Sequence, residues 1–434
     1  MRFEILEGRL LLSNASDALA SYVAAIFHDL LGRDVDAASQ AYWVGRLEQG
    51  EAIGDMAANV VHSREYLVDR IDAAYMQILG RPADQSGLDY WLQHTDEQAE
   101  IGLLASDEFY ARVGRSDQAF ANAVYQILLG RPVENAGLRY WLGELQAGVS
   151  RSTVADRVPQ SREGLERLVG DDYQQVFGRP ADQAGFAYWT DRLAGGMSND
   201  EALTEFVSTA DYFKQQTGLP LTVVPTAGPW SWWQSFNDKI NARVRQGNVD
   251  LMFVGDSITA DWGAAGFGAN AWAKYYSGLN AMEAGIPGDE TQTALWRLEH
   301  GNLDDLHPKL VVVMLGTNDV YAGDSPDDIA AGVRAVVDSL HSQLPESKIL
   351  VMGILPIGQA ASNPLRQVIT AANALISGAA DGSSVFYLDI GTAYLDANGT
   401  FLPGVVQPDY THLTEEGYGI WASAIEPMVD AVLG

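Results

Sequence analysis

Two periodicities divide the chain. Up to about Gly218, apolar residues recur three and four positions apart, as at Val124, Ile127 and Leu128, the spacing of amphipathic helices. From Trp230 onward, short apolar runs alternate with helical patterns. The runs are "DLMFVG" from Asp250, "NAMEAGI" from Asn280, "KLVVVMLG" from Lys309, "KILVMGIL" from Lys348 and "SVFYLDI" from Ser384. The third and fourth are almost unbroken, as expected of strands covered on both faces. Between them lie amphipathic stretches such as 327–344, where Ser325 is placed to cap, Pro326 occupies the first turn and Asp328 completes a capping box. The pattern predicts an all-α domain followed by an α/β domain, three-layered α/β/α, with a five-stranded, doubly wound parallel sheet.

The helical half repeats itself. "LLGRDVDAASQAYW", "ILGRPADQSGLDYW", "LLGRPVENAGLRYW" and "VFGRPADQAGFAYW" place glycines at 32, 80, 130 and 178, each ten residues before a Tyr-Trp pair (Tyr42, Tyr90, Tyr140, Tyr188). Each glycine is expected to end a helix, Pro82, Pro132 and Pro180 to block its continuation, and Asp84, Glu134 and Asp182 to cap the next. A unit then reads as a helical hairpin or three-helix element of about 49 residues, with the Tyr-Trp pairs packed inside in preference to serving as sugar-stacking platforms. One or two carboxylates per "GRPAD" loop are too few for calcium, which takes six to eight oxygens. "GLPLTVVPTAGPW", with Pro220, Pro225 and Pro229, has the composition of a semi-rigid connector. The expected domains are therefore 1–217 (four repeats), a linker at 218–229, and 230–434.

Composition narrows the partners. The net charge of −30 is evenly spread, with 18 basic against 33 acidic residues up to Leu219 and 9 against 24 beyond it. Such a field repels phosphate backbones, so nucleic acid is excluded and a neutral or weakly charged substrate is favoured. The chain has no cysteine, hence no disulfide and no thiolate metal site. Glu4, Glu7 and Arg9 interrupt the first apolar stretch, which does not read as a signal-peptide core, and no stretch approaches a membrane span of about 18 apolar residues.

The chemistry gathers where the strands end. The first strand leads into Gly255-Asp256-Ser257, the second into Gly288-Asp289, the third into Gly316-Thr317-Asn318-Asp319, and "DYTHL" puts Asp409 three residues before His412 ahead of the last helix. In an open α/β sheet, ligands bind beyond the carboxyl ends of the strands. A serine there needs a base, which imidazole supplies near neutral pH, and an aspartate fixes the imidazole's tautomer. A developing oxyanion needs donors. The Ser257 N–H, the unobstructed N–H of Gly288 and the side-chain amide of Asn318 are the candidates. Asp256, Asp289 and Asp319 are read as bracing their loops through backbone N–H groups, with no metal and no cofactor. "DANG" at Asp396 is read as a tight turn. Trp262 and Trp272 are read as core residues or as walls of an acyl pocket.

These blocks in order, "GDSIT", "GIPGDETQTALWRL", "GTND" and "DYTHL", resemble the SGNH or GDSL-type hydrolases, nearest the branch with platelet-activating-factor acetylhydrolase-like esterases, as does "NPLRQ" at Asn363. The resemblance covers 248–434, departs at Pro287, where a glycine is frequent, and implies a flavodoxin-like sheet and a short acyl group. It assigns Ser257 as nucleophile, His412 as base, Asp409 as its partner, and Ser257, Gly288 and Asn318 as the oxyanion hole. The repeats, from about Ala20 to Thr217, resemble a phycobilisome-linker-like domain that accompanies secreted bacterial proteins, which implies an extracellular or cell-surface setting. The expectation is a serine ester hydrolase for short acyl esters, O-acetyl carbohydrate among them, with the repeats attaching it to a polysaccharide or cell surface. The competing expectation is a surface or matrix binding module with an auxiliary or vestigial hydrolase.

Overall fold

The computed structural model describes residues 4–228 and 230–434, with side chains placed from Ala15 onward except at Asp96. By internal contacts the chain forms two compact units, one of Met1–Ser21, Ala41–Ala52 and Thr217–Gly434, the other of Tyr22–Gln40 and Ile53–Gln216. The first repeat is thereby divided between them.

The first unit is built on five parallel strands, β1 (Leu251–Gly255), β2 (Ala281–Gly285), β3 (Leu310–Met314), β4 (Lys348–Met352) and β5 (Val385–Leu388). Their order is β2-β1-β3-β4-β5, in the register Leu251↔Ala281, Leu251↔Leu310, Leu310↔Lys348 and Ile349↔Val385. All five lie within the sequence runs that predicted them. Side chains alternate across the sheet, so each central strand feeds two cores. Met252, Val254, Val311, Val313, Ile349 and Val351 pack with residues of the helices Ser231–Val244, Thr291–Glu299, Pro326–Gln343 and Leu365–Ile376. Leu251, Phe253, Leu310, Val312, Met314 and Leu350 face the other way, against residues of Ala269–Tyr275 and Glu415–Leu433. Both faces of the sheet are covered, which is why the strands carry so few polar residues.

The stretch expected as a connector packs down instead. Thr222, Val224 and Ala227 are buried, Thr222 Oγ1 donates to the Asp328 carbonyl (2.7 Å), and the Thr226 N–H donates to the Gln292 carbonyl (3.2 Å). Three prolines in this stretch suit an extended chain, and extended chain also packs on a domain when its alternate residues are apolar; Pro229 lies outside the described residues.

In the second unit every described element is a helix, apart from its turns. One repeat contains the three helices Asp117–Leu129, Asn135–Gln146 and Arg151–Arg157. Gly32, Gly80, Gly130 and Gly178 have φ between +63° and +69°, the left-handed helix-ending conformation that glycine adopts without strain. Asp84 and Asp182 accept from the N–H of Gly87 and Gly185, each at 2.8 Å, while Glu134 makes no such side-chain cap.

The Tyr-Trp pairs correct the sequence reading. Trp141 and Trp189 are buried, but Tyr90, Tyr140 and Tyr188 of this unit remain 55%, 53% and 54% exposed. Neighbouring residues on a helix point about 100° apart, so one member of each pair packs inside while the other faces outward.

Candidate active site

Three strand ends and one loop build the site. β1 stops at Gly255, where any Cβ would collide with Thr259 and with the Met314 carbonyl, so only glycine fits. The next residue, Asp256, accepts from the Ile258 N–H at 2.9 Å and caps the single turn Ser257–Ala260, whose first residue is Ser257. The sheet reverses its winding between β1 and β3, and the Ser257 turn stands at that switch point, where an open α/β sheet leaves a crevice.

The histidine comes from the loop before the last helix. Asp409 folds back on its own loop, accepting from the N–H groups of Thr411 and His412, both at 3.0 Å. Between them Tyr410 takes φ +56°, an uncommon conformation for a residue with a Cβ, and its carbonyl accepts from Gly358 N–H at 2.9 Å. The loop thus presents His412 with Nδ1 at 2.7 Å from Asp409 Oδ2 and Nε2 at 2.8 Å from Ser257 Oγ. Burial raises the Asp409 carboxyl, but the bonds from the His412 ring, the His412 N–H and the Thr411 N–H outweigh it, so the group sits below the usual carboxylate range. Ser257 and His412 are half-buried and Asp409 is at the surface.

The candidate oxyanion donors lie on the neighbouring strand ends. Gly288 follows β2 with φ +76°, and among the described residues its N–H donates to no intramolecular acceptor. Asn318 is the second residue of the helix Thr317–Ala322 after β3; its Nδ2 donates to the Asp289 carbonyl at 2.8 Å, which ties the two loops and leaves one amide hydrogen over. Beside His412 opens a cleft of about 410 Å³ lined by Asp261, Phe267, Gln407, Pro408, Asp409 and His412.

Beneath the site is a network that sequence reading did not find. Arg297, fully buried, donates from Nε to Asp289 Oδ2 (2.7 Å), from Nη1 to Asn302 Oδ1 (2.7 Å) and from Nη2 to the Gly255 carbonyl (3.1 Å). Asp289 Oδ1 accepts from Trp233 Nε1 (2.6 Å) and Thr293 Oγ1 (3.0 Å). Asp289 therefore braces its loop through side chains, not through backbone N–H groups as expected. Asp256 does bond backbone, and Asp319 takes both the N–H and the hydroxyl of Thr291 (3.1 and 2.6 Å). Burial pushes Asp256 and Asp319 up to about 7; it also raises Asp289, against the pull of Arg297 and Trp233. Among the described residues no group of three or more His, Asp or Glu side chains is arranged to hold a metal ion.

Residues 253–420 match the GDSL-like lipase/acylhydrolase family. The chain is 33% identical over 187 residues to platelet-activating factor acetylhydrolase IB subunit alpha1 of Bos taurus, an alignment covering 43% of this chain and 77% of that one. It is 30% identical over 202 residues to subunit alpha2 of Gallus gallus, covering 46% and 83%. The chain belongs to the GDSL-like lipase/acylhydrolase family. It is a carboxylic ester hydrolase. A GDSL-like lipase from Bacteroides thetaiotaomicron superposes with a TM-score of 0.37 at 20% identity, covering 46% of this chain and 98% of the other. Residues 101–168 and 166–216 match a domain of unknown function, DUF4214, which takes in the later repeats.

The acylhydrolase uses its large aromatics mainly as core. Trp262 is fully buried against Phe253, Trp272, Tyr276, Tyr418 and Trp421, with centroid distances between 4.7 and 6.0 Å, so it packs the sheet and walls no acyl pocket. Asp396 accepts from the N–H groups of Asn398 and Thr400 in the tight turn that its sequence suggested. No described helix is long and apolar enough to cross a membrane.

Proposed function

We propose that this esterase works through Ser257, His412 and Asp409 on short acyl esters. The observation that carries the reading is the relay of two bonds, Ser257 Oγ to His412 Nε2 at 2.8 Å and His412 Nδ1 to Asp409 Oδ2 at 2.7 Å. As Ser257 Oγ bonds to the ester carbonyl carbon, its proton passes to His412 Nε2, and Asp409 stabilises the imidazolium. The carbonyl oxygen, now an alkoxide, takes hydrogen bonds from the N–H groups of Ser257 and Gly288 and from the remaining Asn318 amide hydrogen. His412 returns the proton to the departing alcohol as the carbon–oxygen bond breaks. It then takes a proton from water, whose oxygen attacks the acyl-serine, and returns that proton to Ser257 Oγ as the acyl carbon–oxygen bond breaks, releasing the acid and the free serine.

The relatives' name, acetylhydrolase, supports a short acyl group. The charge of −30 favours a neutral alcohol such as a carbohydrate hydroxyl over an anionic one. On this reading 230–434 is the hydrolase domain, 218–229 leads into it, and the repeats of 1–217 attach the enzyme to a polysaccharide or cell surface outside the cell. The test is hydrolysis of 4-nitrophenyl esters from acetyl to octanoyl by the wild type and by Ser257→Ala. Activity that falls with acyl length and drops at least a thousandfold on substitution is expected. Equal rates in the two proteins would refute the assignment of Ser257.

A further inference from the structure

The helix Ser231–Val244 opens on three tryptophans, Trp230, Trp232 and Trp233, of which only the last is buried. Trp233 is fixed from two sides. Its indole N–H donates to Asp289, and its ring fills the space that a Cβ on Gly228 would need. Trp230 and Trp232 point outward at 46% and 43% exposure, with ring centroids 5.3 Å apart and planes 11° from parallel. Exposing two indoles forfeits apolar burial that the folded chain otherwise secures for its large aromatics.

Their location is informative. Trp232 Cη2 lies 3.3 Å from where a Cβ on Gly288 would stand, so the ring edge borders the glycine proposed as an oxyanion donor. The ring is held there because the adjacent Trp233 is bonded to Asp289, the residue after Gly288. The two rings stack on each other, so the stack presents a flat, preorganised outer indole face beside the proposed oxyanion hole, and such a face matches the apolar C–H face of a pyranose ring, whose hydroxyls stay in water at the rim. It matches an extended acyl chain less well, because such a chain needs a concave apolar groove. The acids Asp261 and Asp409 along the neighbouring cleft disfavour an anionic ring.

We propose that Trp230 and Trp232 form a sugar subsite that stacks a neutral pyranose of the substrate beside the oxyanion hole. The proposal rests on the serine-esterase reading and adds the substrate class to it. It is tested with the full chain on three acetyl esters, O-acetylated cellotetraose, O-acetylated maltotetraose and the ringless ethyl acetate. In Trp232→Ala, kcat/KM on an acetylated tetrasaccharide is expected to fall about tenfold more than on ethyl acetate, mainly through KM. Trp230→Ala should show a smaller shift of the same kind, and Trp232→Phe, which keeps a flat ring, should recover most of the loss. Binding is read separately in Ser257→Ala, where cello- or malto-tetraose should perturb tryptophan fluorescence and the signal should disappear when Trp232→Ala is added. Equal losses on the sugar esters and on ethyl acetate, or no binding of either tetrasaccharide by Ser257→Ala, would overturn the subsite. So would a loss confined to octanoyl esters, which would make the slab an acyl wall. If the wild type hydrolyses no ester yet Ser257→Ala binds the sugars through Trp232, the esterase reading fails and the subsite stands.

Discussion

Replacing Arg297 by Met removes the one charge that faces Asp289 in a fully buried pair. A guanidinium stays protonated at any working pH, so in the wild type it supplies a permanent counter-charge. After the substitution Asp289 retains the indole N–H of Trp233 at 2.6 Å and the hydroxyl of Thr293 at 3.0 Å, two neutral donors for a carboxylate with no access to water. Breaking one side of a buried ion pair costs about 3–5 kcal/mol. The other two contacts weigh less. The Gly255 carbonyl keeps the Ile286 N–H at 3.1 Å, and Asn302 keeps its own bonds to Asn237 and Asn241. Arg297→Met should therefore lose about 3–5 kcal/mol in urea unfolding followed by loss of ester hydrolysis, a signal that reports the sheet unit and not the helical one. The double variant Arg297→Met/Asp289→Asn removes the stranded charge as well and should regain at least about 2 kcal/mol of that loss, since the amide oxygen still accepts from Trp233 and Thr293 and no buried charge is left without its counter-charge. The network also holds Gly255, two residues before the proposed nucleophile Ser257, and Asp289, the residue after the proposed donor Gly288. In folded Arg297→Met, kcat should consequently fall much more than KM rises. A single variant that loses less than about 1 kcal/mol, or a double variant no more stable than the single, would refute this account of the network.

Two further outcomes follow from residues around the same site. Gly288→Ala puts a Cβ on a backbone at φ +76° and 3.3 Å from Trp232; the N–H should swing off the oxyanion position and kcat should drop by about tenfold to a hundredfold, whereas an unchanged kcat would remove Gly288 from the oxyanion hole. Burial raises the Asp256 carboxyl from 3.8 to about 7, so between those values the folded chain holds a proton that the unfolded chain has released, and the contribution of this group to stability is present below about pH 4 and lost as pH rises through about 7. Asp256→Asn keeps the acceptor for the Ile258 N–H and should flatten the fall of the urea midpoint between pH 5 and pH 7.5, by up to about 1.4 kcal/mol per pH unit; parallel profiles for the two proteins would show that Asp256 is ionised throughout.

What could be read from sequence was whatever is written locally. The five strands declared themselves because both faces of the sheet are covered and the alternation that marks a half-exposed strand is absent. Ser257, Gly288 and Asn318 could be placed together because a parallel sheet delivers every strand end to one edge, so short polar blocks after apolar runs must converge there. The helix-ending glycines were legible because a positive φ recurs at the same place in each repeat. What escaped notice is set by pairing over distance. Nothing near Trp233 announces that its indole meets a carboxylate 56 residues away. Arg297, within "LWRLE", looks like an ordinary solvated position on an amphipathic helix until the sheet places the Gly255 carbonyl and Asp289 above it. The same blindness explains why the aspartates of the motif blocks were all assigned to backbone bonds, although Asp289 spends both oxygens on side chains. It also explains why periodicity alone did not sort the aromatic residues. Trp262, left between core and pocket wall, is core, the repeat tyrosines expected inside are surface, and the exposed indole beside Gly288, Trp232, stands just past the stretch that composition marks as a connector. The candidate groups of a site are thus easier to read from sequence than their supports, because Ser257, Gly288 and Asn318 follow strands that periodicity predicts, whereas the groups that hold them in place are chosen by three-dimensional neighbours.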